Sequence, residues 1–528
     1  MMGRIRSAFR LAWKHRGDLH KLVFYVRSFG LAKALHRIRS DMRGLGGEAG
    51  YASWVALYDT LTAEDLAALR ALVEALPQTP LISLVLTGEG DRERSLDSLR
   101  HQVYPHWEVC DRLDQARGSF VGRLVAGDEL PPHALALIAA ELAAHPEAEL
   151  IYTDEDRLDG QNQRCEPRFK PDWDPELFSG LDYLNHLAVI KRGLLERGEL
   201  RSAAAQARQI RHISHVLYHG RGPYADRVPQ PAPCRPEPWP LVSLLVPTRD
   251  GLELTRQCLE GLLHGTDYPA LDILILDNDS RDPATLAYFQ GIQRDDRVRV
   301  LPCPGPFNFS AINNAGVAAA RGEIIGFINN DIKVIGPGWL RAMVAQACRP
   351  EIGAVGAKLY YGDGTIQHGG VILGIGGVGA HAHRRFPADH SGSMNRLKLT
   401  QSFSAVTAAC LVMRKALFTA VGGFDAEHLA VAFNDVDLCL KLGTQGYRNI
   451  WTPQAELYHL ESVSRGGDLA AHTRERFRAE TLHMRKTWGP VLDADPFYNP
   501  NLTLHACDFA LAFPPRQPLP WRNRSKME

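Results

Sequence analysis

One short pattern, met twice, constrains this chain more than its composition does. Pro80-Leu-Ile-Ser83 returns 160 residues later as Pro240-Leu-Val-Ser243, and each copy opens an apolar run that reads as a buried strand. Tyr104-Pro105 returns as Tyr268-Pro269 at an offset of 164. Arg117-Gly118 returns as Arg321-Gly322 at 204, and Pro146-Glu147 as Pro350-Glu351 at 204 again. The offset therefore grows by 40 between Pro105 and Arg117, so the first copy lacks a stretch matching roughly residues 276–316 of the second. Between the copies, residues 219–240 hold seven prolines in 22 positions, the composition of a linker. Ahead of the first copy, Thr62-Ala-Glu-Asp65 has the form of a capping box and starts a helix through residue 76, which Pro77 and Pro80 stop.

The second copy concentrates polar residues where strands end. Residues 271–276 read as a strand that runs into Asp277-Asn278-Asp279-Ser280. In an open α/β sheet that end faces the ligand crevice, so a carboxylate there meets a base or ribose, or else closes a polar turn. A helix over 310–320 leads to a strand over 324–328, which ends in Asn329-Asn330-Asp331. An acid flanked by amides at such a strand end suits Mg²⁺ or Mn²⁺ bridging phosphate oxygens; it equally suits a turn. The matching place in the first copy reads Ala126-Gly127-Asp128 with a one-residue slip. Further on, Phe433-Asn434-Asp435-Val436-Asp437 switches to helical periodicity, which puts Asp435 near a helix N-terminus. There the dipole favours the ionised carboxylate that a general base requires, and a simple cap is the other reading. His459 follows a last short strand.

Charge adds a separate feature. The chain has 528 residues with 60 Lys+Arg and 60 Asp+Glu. Residues 1–40, however, carry ten Lys/Arg and one acid, so a +9 leader is offset by a −9 remainder. Apolar residues such as Ile5, Phe9, Leu11, Val23 and Phe24 are interleaved at helical spacing. Residues 1–50 thus read as a basic amphipathic helical region that lies on an anionic membrane surface or docks on the protein body. No nucleic-acid motif follows, so nucleic acid is not an expected partner. No apolar run reaches the roughly 18–20 residues that span a bilayer, and Arg and Lys break up any signal-peptide core. Nine cysteines without a C-x-x-C pair argue against a disulfide framework and a zinc ribbon. The expected location is cytoplasmic, peripheral at the inner face of the plasma membrane.

The order of these motifs, with Asp277, Asn-Asn-Asp, Asn-Asp-Val-Asp and His459 in sequence, resembles the family 2 glycosyltransferases. Residues 241–465 resemble a complete catalytic domain of that family through Pro304-Gly-Pro-Phe-Asn-Phe-Ser, Asp363-Gly-Thr-Ile-Gln-His368, Gly422-Gly-Phe-Asp425 and Ala432-Phe-Asn-Asp-Val-Asp-Leu438. The first copy, with Tyr152-Thr-Asp-Glu-Asp156 and Phe169-Lys-Pro-Asp-Trp173, resembles the leading domain of bacterial two-domain members, often rhamnosyl- or related transferases of surface polysaccharide assembly. The resemblance implies an α/β GT-A (nucleotide-diphospho-sugar transferase) fold preceded by a degenerate, shortened GT-A-like copy. The expected division is 1–50 helical leader, 51–218 degenerate copy, 219–240 linker, 241–490 catalytic domain and 491–528 extended tail.

It also implies roles. An inverting transfer from a nucleotide-diphospho-sugar donor to a glycan or lipid-linked glycan acceptor would use Asp435 as base. Thr248, Asp277, Asp279, Asn314 and Asn329 would bind the nucleotide sugar, and Asp331 and His459 would hold Mg²⁺ or Mn²⁺. His368 and Asn434 would face the acceptor. Asn329 departs from the family, standing where the first acid of its D-x-D element is usual, which lowers the charge of the site. Two rivals remain at this level. A glycan-binding scaffold requires both copies to be inert. A nucleotidyltransferase requires a Gly-rich phosphate loop after the first strand, where Val246-Pro-Thr-Arg-Asp250 has none. The leader has its own test: deletion of residues 1–40 is expected to move the protein from the membrane fraction to the soluble fraction, and unchanged fractionation assigns them to the protein body.

Overall fold

The computed structural model describes residues 47–195, 200–224, 229–230, 233, 235–460 and 471–522. The basic stretch 1–40 lies outside the described residues, so its membrane role is taken up only as a proposal. Two mixed sheets organise the rest. The first runs Trp107–Cys110, Ile82–Thr87, Phe120–Val125, Ala188–Lys191, Leu150–Leu158, Arg164–Arg168, with Ile210–Gly220 also against Leu150–Leu158. The second runs Val298–Pro302, Leu271–Asp277, Val242–Thr248, Ile324–Ile328, Cys410–Arg414, Ile352–Tyr360, Arg448–His459, Ile332–Val334.

The two sheets repeat one plan. In each, three strands run parallel, a fourth is antiparallel to them, and two long strands pair in parallel beyond it. The second sheet adds an edge strand, Val298–Pro302, reached through the helix Pro283–Ile292 and followed by the helix Phe309–Ala319. Among the described residues the first sheet has no counterpart of these three elements, which accounts for the jump in offset. All seven residues of Val242–Thr248 are buried, as expected of a parallel strand covered on both faces.

The recurring residues latch the strands of each copy together. Tyr104 Oη donates to Pro80 O and Tyr268 Oη to Pro240 O, both at 2.7 Å. Ser83 Oγ donates to Glu108 at 2.6 Å and accepts the Gly118 N–H at 2.8 Å. Ser243 Oγ does the same with Asp272 and Gly322, at the same distances. A Cβ at Gly118 would lie 2.4 Å from Leu81 O, and one at Gly322 2.6 Å from Leu241 O, so only glycine lets the backbones approach.

The copies are also tied to each other. Asp174 accepts the Ser402 N–H at 2.8 Å and the Ser402 hydroxyl at 2.9 Å. Glu176 pairs with Arg349 at 2.6 Å and Arg448 at 3.1 Å. Gln230, in the Pro-rich segment, exchanges hydrogen bonds with the backbone of Thr400 at 2.8 and 2.7 Å, so this segment is pinned at its centre. The strand Ile210–Gly220 also runs two residues into the range read as linker. The tail crosses both copies: Asp495 accepts the Leu373 N–H at 2.8 Å and the Ser404 hydroxyl at 2.7 Å in the second, while in the first Asn499 donates to Asp154 at 2.7 Å, Gln517 accepts from Ser214 at 2.7 Å, and Trp521 and Arg522 donate to Asp65 at 2.8 and 2.7 Å. Asp65 also closes the capping box with Thr62. The eight cysteines described are all free, and among the described residues no helix is long and apolar enough to cross a membrane. Asp174→Ala leaves two donors of Ser402 buried without an acceptor, and is expected to cost about 2–3 kcal/mol in chemical denaturation followed by signals from both copies.

Candidate active site

The site lies at the carboxyl ends of the second sheet's parallel strands, in a cleft of about 630 Å³. Thr248 ends the strand Val242–Thr248. Its hydroxyl meets Thr255 Oγ1 at 2.9 Å and accepts from Asn330 Nδ2 at 3.0 Å, which fixes the middle residue of Asn-Asn-Asp. The next pairing is decisive. The short strand Ile332–Val334 lies antiparallel to the end of Arg448–His459 with Ile332 opposite His459, and Leu460 N donates to Asp331 O at 3.0 Å. Two residues 128 positions apart thereby share one corner of the cleft, with His459 Nε2 3.1 Å from Asp331 Oδ1.

The hydrogen bonds assign the tautomer of His459. Nδ1 stands 2.7 Å from Gln367 Oε1, an acceptor only, so Nδ1 carries the proton. Nε2 then offers its lone pair and accepts from Asn329 Nδ2 at 3.1 Å. Asp331 Oδ1 is a buried acceptor with no hydrogen-bond partner. Nε2 and Asp331 Oδ1 thus lie close together, an arrangement that a cation or a proton between them stabilises. An imidazole nitrogen, a carboxylate oxygen and a neighbouring amide fit a divalent cation that also takes phosphate oxygens. Gln367 is the outer-shell group that holds the ring in register.

Also lining the cleft, Phe433 adopts a left-handed φ of 62° and the helix Asn434–Thr444 begins directly after it. Asp435 is half-buried there. Its Oδ2 accepts the Ala408 N–H at 3.1 Å and its Oδ1 the Val436 N–H at 2.9 Å. Burial raises the Asp435 carboxyl above the usual range, and the Ala408 N–H and Thr407 hydroxyl only partly offset this. Asn434 lines the cleft and donates to Ser310 Oγ at 3.0 Å and Val431 O at 3.3 Å.

Four of the residues expected in the site make contacts within the protein and do not line the cleft. Asp277 stands opposite Thr248 in the strand register, yet it is not among the cleft-lining residues, and its Oδ1 accepts the Ser280 N–H at 3.0 Å. Asp279 has φ 58° and closes a turn by accepting the Gly305 N–H at 3.0 Å. Asn314 is bidentate to the Phe424 backbone at 2.9 and 3.1 Å, fastening the Gly422–Asp425 turn to its helix. His368 lies behind the cleft, fully buried, with Nδ1 2.8 Å from His381 Nδ1; burial pushes both rings down, His381 to about 3. The side chains that do face the cleft include Asn278, Asn330, Gln367 and His381, none of which the sequence reading selected. Alternation along Ile366–His368 turns Gln367 toward the cleft and His368 away from it, and that period was the available signal. Asn278 is buried, its Nδ2 donates to Cys303 O at 2.8 Å, and its Oδ1 has no hydrogen-bond partner.

The first copy keeps the frame of this corner without its vacancy. Glu129 bridges His219 as Ile332 pairs with His459. Yet Asp128 accepts from the Tyr218 hydroxyl and the Arg221 N–H, and His219 Nδ1 meets Asp156 Oδ1 at 2.6 Å. Arg164 and Tyr51 also donate to Asp156, both at 2.6 Å, and Lys170 reaches Glu155 at 3.0 Å. The acids at 154–156 are therefore structural, their charge neutralised from within.

A family model described as Glycosyl transferase family 2 matches residues 243–421. The uncharacterized protein y4gI of Sinorhizobium fredii is 38% identical over 580 residues, covering 90% of this chain and 64% of that protein. The O-antigen biosynthesis protein RfbC of Myxococcus xanthus is 36% identical over 511 residues, 87% of this chain and 38% of its own length. An N-acetylglucosaminyl-diphospho-decaprenol L-rhamnosyltransferase of Mycobacterium tuberculosis is 30% identical over 238 residues, 40% of this chain and 74% of that enzyme. The chain belongs to the family 2 glycosyltransferases, and its fold is the GT-A type. It spans 64% and 38% of the first two relatives. Gln367→Leu removes the acceptor that fixes His459, and is expected to weaken Mn²⁺ binding about 10–100-fold in a calorimetric titration of the full chain.

Proposed function

We propose that residues 241–490 transfer a sugar from a nucleotide-diphospho-sugar donor to a hydroxyl of a cell-surface glycan or lipid-linked glycan, with inversion and with Mg²⁺ or Mn²⁺. The observation that carries this reading is one cleft holding both the facing acceptors Asp331 Oδ1 and His459 Nε2 and the half-buried carboxylate of Asp435. The relatives' printed roles, O-antigen biosynthesis and rhamnosyl transfer, agree with a surface glycan as acceptor. Asp331 and His459 would hold the cation, whose charge offsets that of the departing diphosphate. Asn329 then turns its amide between His459 and the donor, while Asn278 offers its unpaired Oδ1 to a base or ribose donor group. Asp435 accepts the proton of the acceptor hydroxyl as that oxygen attacks the anomeric carbon in line. Its raised pKa makes it a stronger base than an exposed aspartate, and keeps it protonated up to a higher pH than an exposed aspartate. The first copy acts as a support, and residues 1–40 bring the enzyme to an anionic membrane face.

Asp435→Asn is expected to lower transfer by about 10²–10⁴-fold while donor binding persists, measured by nucleoside diphosphate release and by titration with the donor. Full activity in that variant removes Asp435 as base. Asp128→Asn should leave transfer per folded molecule nearly unchanged, and a large loss would place a second active site in the first copy. The wild-type rate should fall along an acid limb above the usual carboxylate range, because the group must be ionised to work.

A further inference from the structure

Outside the cleft, a second cluster of ligating side chains joins two distant parts of the chain. Asp425 ends the Gly422–Asp425 turn, His428 follows it, and His483 lies on the helix Ala471–Asp493. Asp425 Oδ2 is 3.1 Å from His428 Nδ1 and 3.4 Å from His483 Nε2, and all three ligating atoms lie within 4.8 Å of one another. A tetrahedral cation with bonds of 2.0–2.1 Å has ligand–ligand edges of about 3.3 Å, so two of the three edges are already close to that length. The other carboxylate oxygen, Oδ1, is occupied by the N–H groups of Glu427 and His428 at 3.0 and 2.9 Å, which aims Oδ2 at the rings. Burial alone would raise the Asp425 carboxyl, but the backbone donors and the His428 ring outweigh it and hold the group below the usual range. The separation of 3.4 Å to His483 is long for a hydrogen bond, so a plain His–Asp–His hydrogen-bonded cluster is only half made. The two rings stack with centroids 4.4 Å apart and planes at 11°. Convergent lone pairs need one ring to turn about its Cβ–Cγ bond, which His428, 49% exposed, has room to do.

The place of this cluster gives it a role. The same helix grips the chain on both sides of the base. Buried Glu480 accepts the N–H groups of Val431 and Ala432 at 2.8 and 3.2 Å, and Trp488 donates to Asp437 at 2.9 Å. Phe477, six residues before His483 and so about 9 Å along the helix, lines the cleft. We propose that Asp425, His428 and His483 form a second cation site, of the zinc class, that fastens the helix Ala471–Asp493 to the segment leading into Asp435. Two imidazoles and one carboxylate favour Zn²⁺, Co²⁺ or Ni²⁺, whereas the cleft, with one imidazole and a set of oxygens, favours Mg²⁺ or Mn²⁺. The remaining coordination position is open to water.

The full chain, stripped of metal and carrying Asp331→Asn to silence the cleft, is loaded with Zn²⁺ and compared with the same chain carrying His428→Ala and His483→Ala. The expected result is one bound equivalent lost, together with loss of the rise in melting temperature that Zn²⁺ confers. Equal stoichiometry and affinity in the two proteins overturn the proposal. X-ray absorption at the zinc edge of the chain with both histidines intact decides independently of whether the double variant folds. Two imidazole ligands and no sulfur support the site; sulfur in the shell, or a single imidazole, assigns the zinc elsewhere and overturns it.

Discussion

The candidate active site depends on one strand pairing. The end of Arg448–His459 lies against Ile332–Val334, and this contact between segments far apart in sequence sets Asp331 beside His459. Neither residue alone marks a cation site. A carboxylate after a strand usually closes a turn, and an imidazole at a strand end usually finds a donor or acceptor nearby. Put together by the ladder, with Gln367 holding the proton on the far nitrogen, they become two acceptors that only a positive charge reconciles. Thr248, Asn330 and Asp435 line the same cleft.

Comparison of the two copies separates what the fold requires from what chemistry requires. Both keep the Tyr–Pro and Ser–carboxylate–Gly latches with matching distances, because these close the first three strands and have nothing to do with substrate. Only the second keeps an unsatisfied corner. In the first, donors that include Tyr218, Arg221, Arg164, His219 and Lys170 pair the acids within the protein.

The architecture was legible in the sequence because repeats and strand-ending polar residues are local signals. The offset jump of 40 residues corresponds to a strand and two helices that only the second copy carries. The motif Phe433-Asn-Asp435 places its acid in the first turn of a helix, as its periodicity implies. Side-chain direction was less legible. Asp277, Asp279 and Asn314 are polar and close to the site in sequence, but turn geometry and a neighbouring backbone claim their hydrogen bonds. His368 drew attention as an imidazole, while the period of two on its strand gave the cleft to Gln367 instead. The tail was unreadable for another reason: Asn499, Gln517 and Trp521 reach partners more than 300 residues away, a distance over which no local pattern carries information.

Those same tail contacts impose an order on biogenesis. Asp65, near the start of the first copy, is hydrogen-bonded by Trp521 and Arg522, and Asp154 in its sheet is bonded by Asn499. A ribosome builds the first copy long before these partners emerge, so during synthesis Asp65 and Asp154 have only the donors of the first copy itself. Its final form waits for the catalytic half to be complete. Chains cut short inside the second copy therefore lack these contacts of the first copy as well.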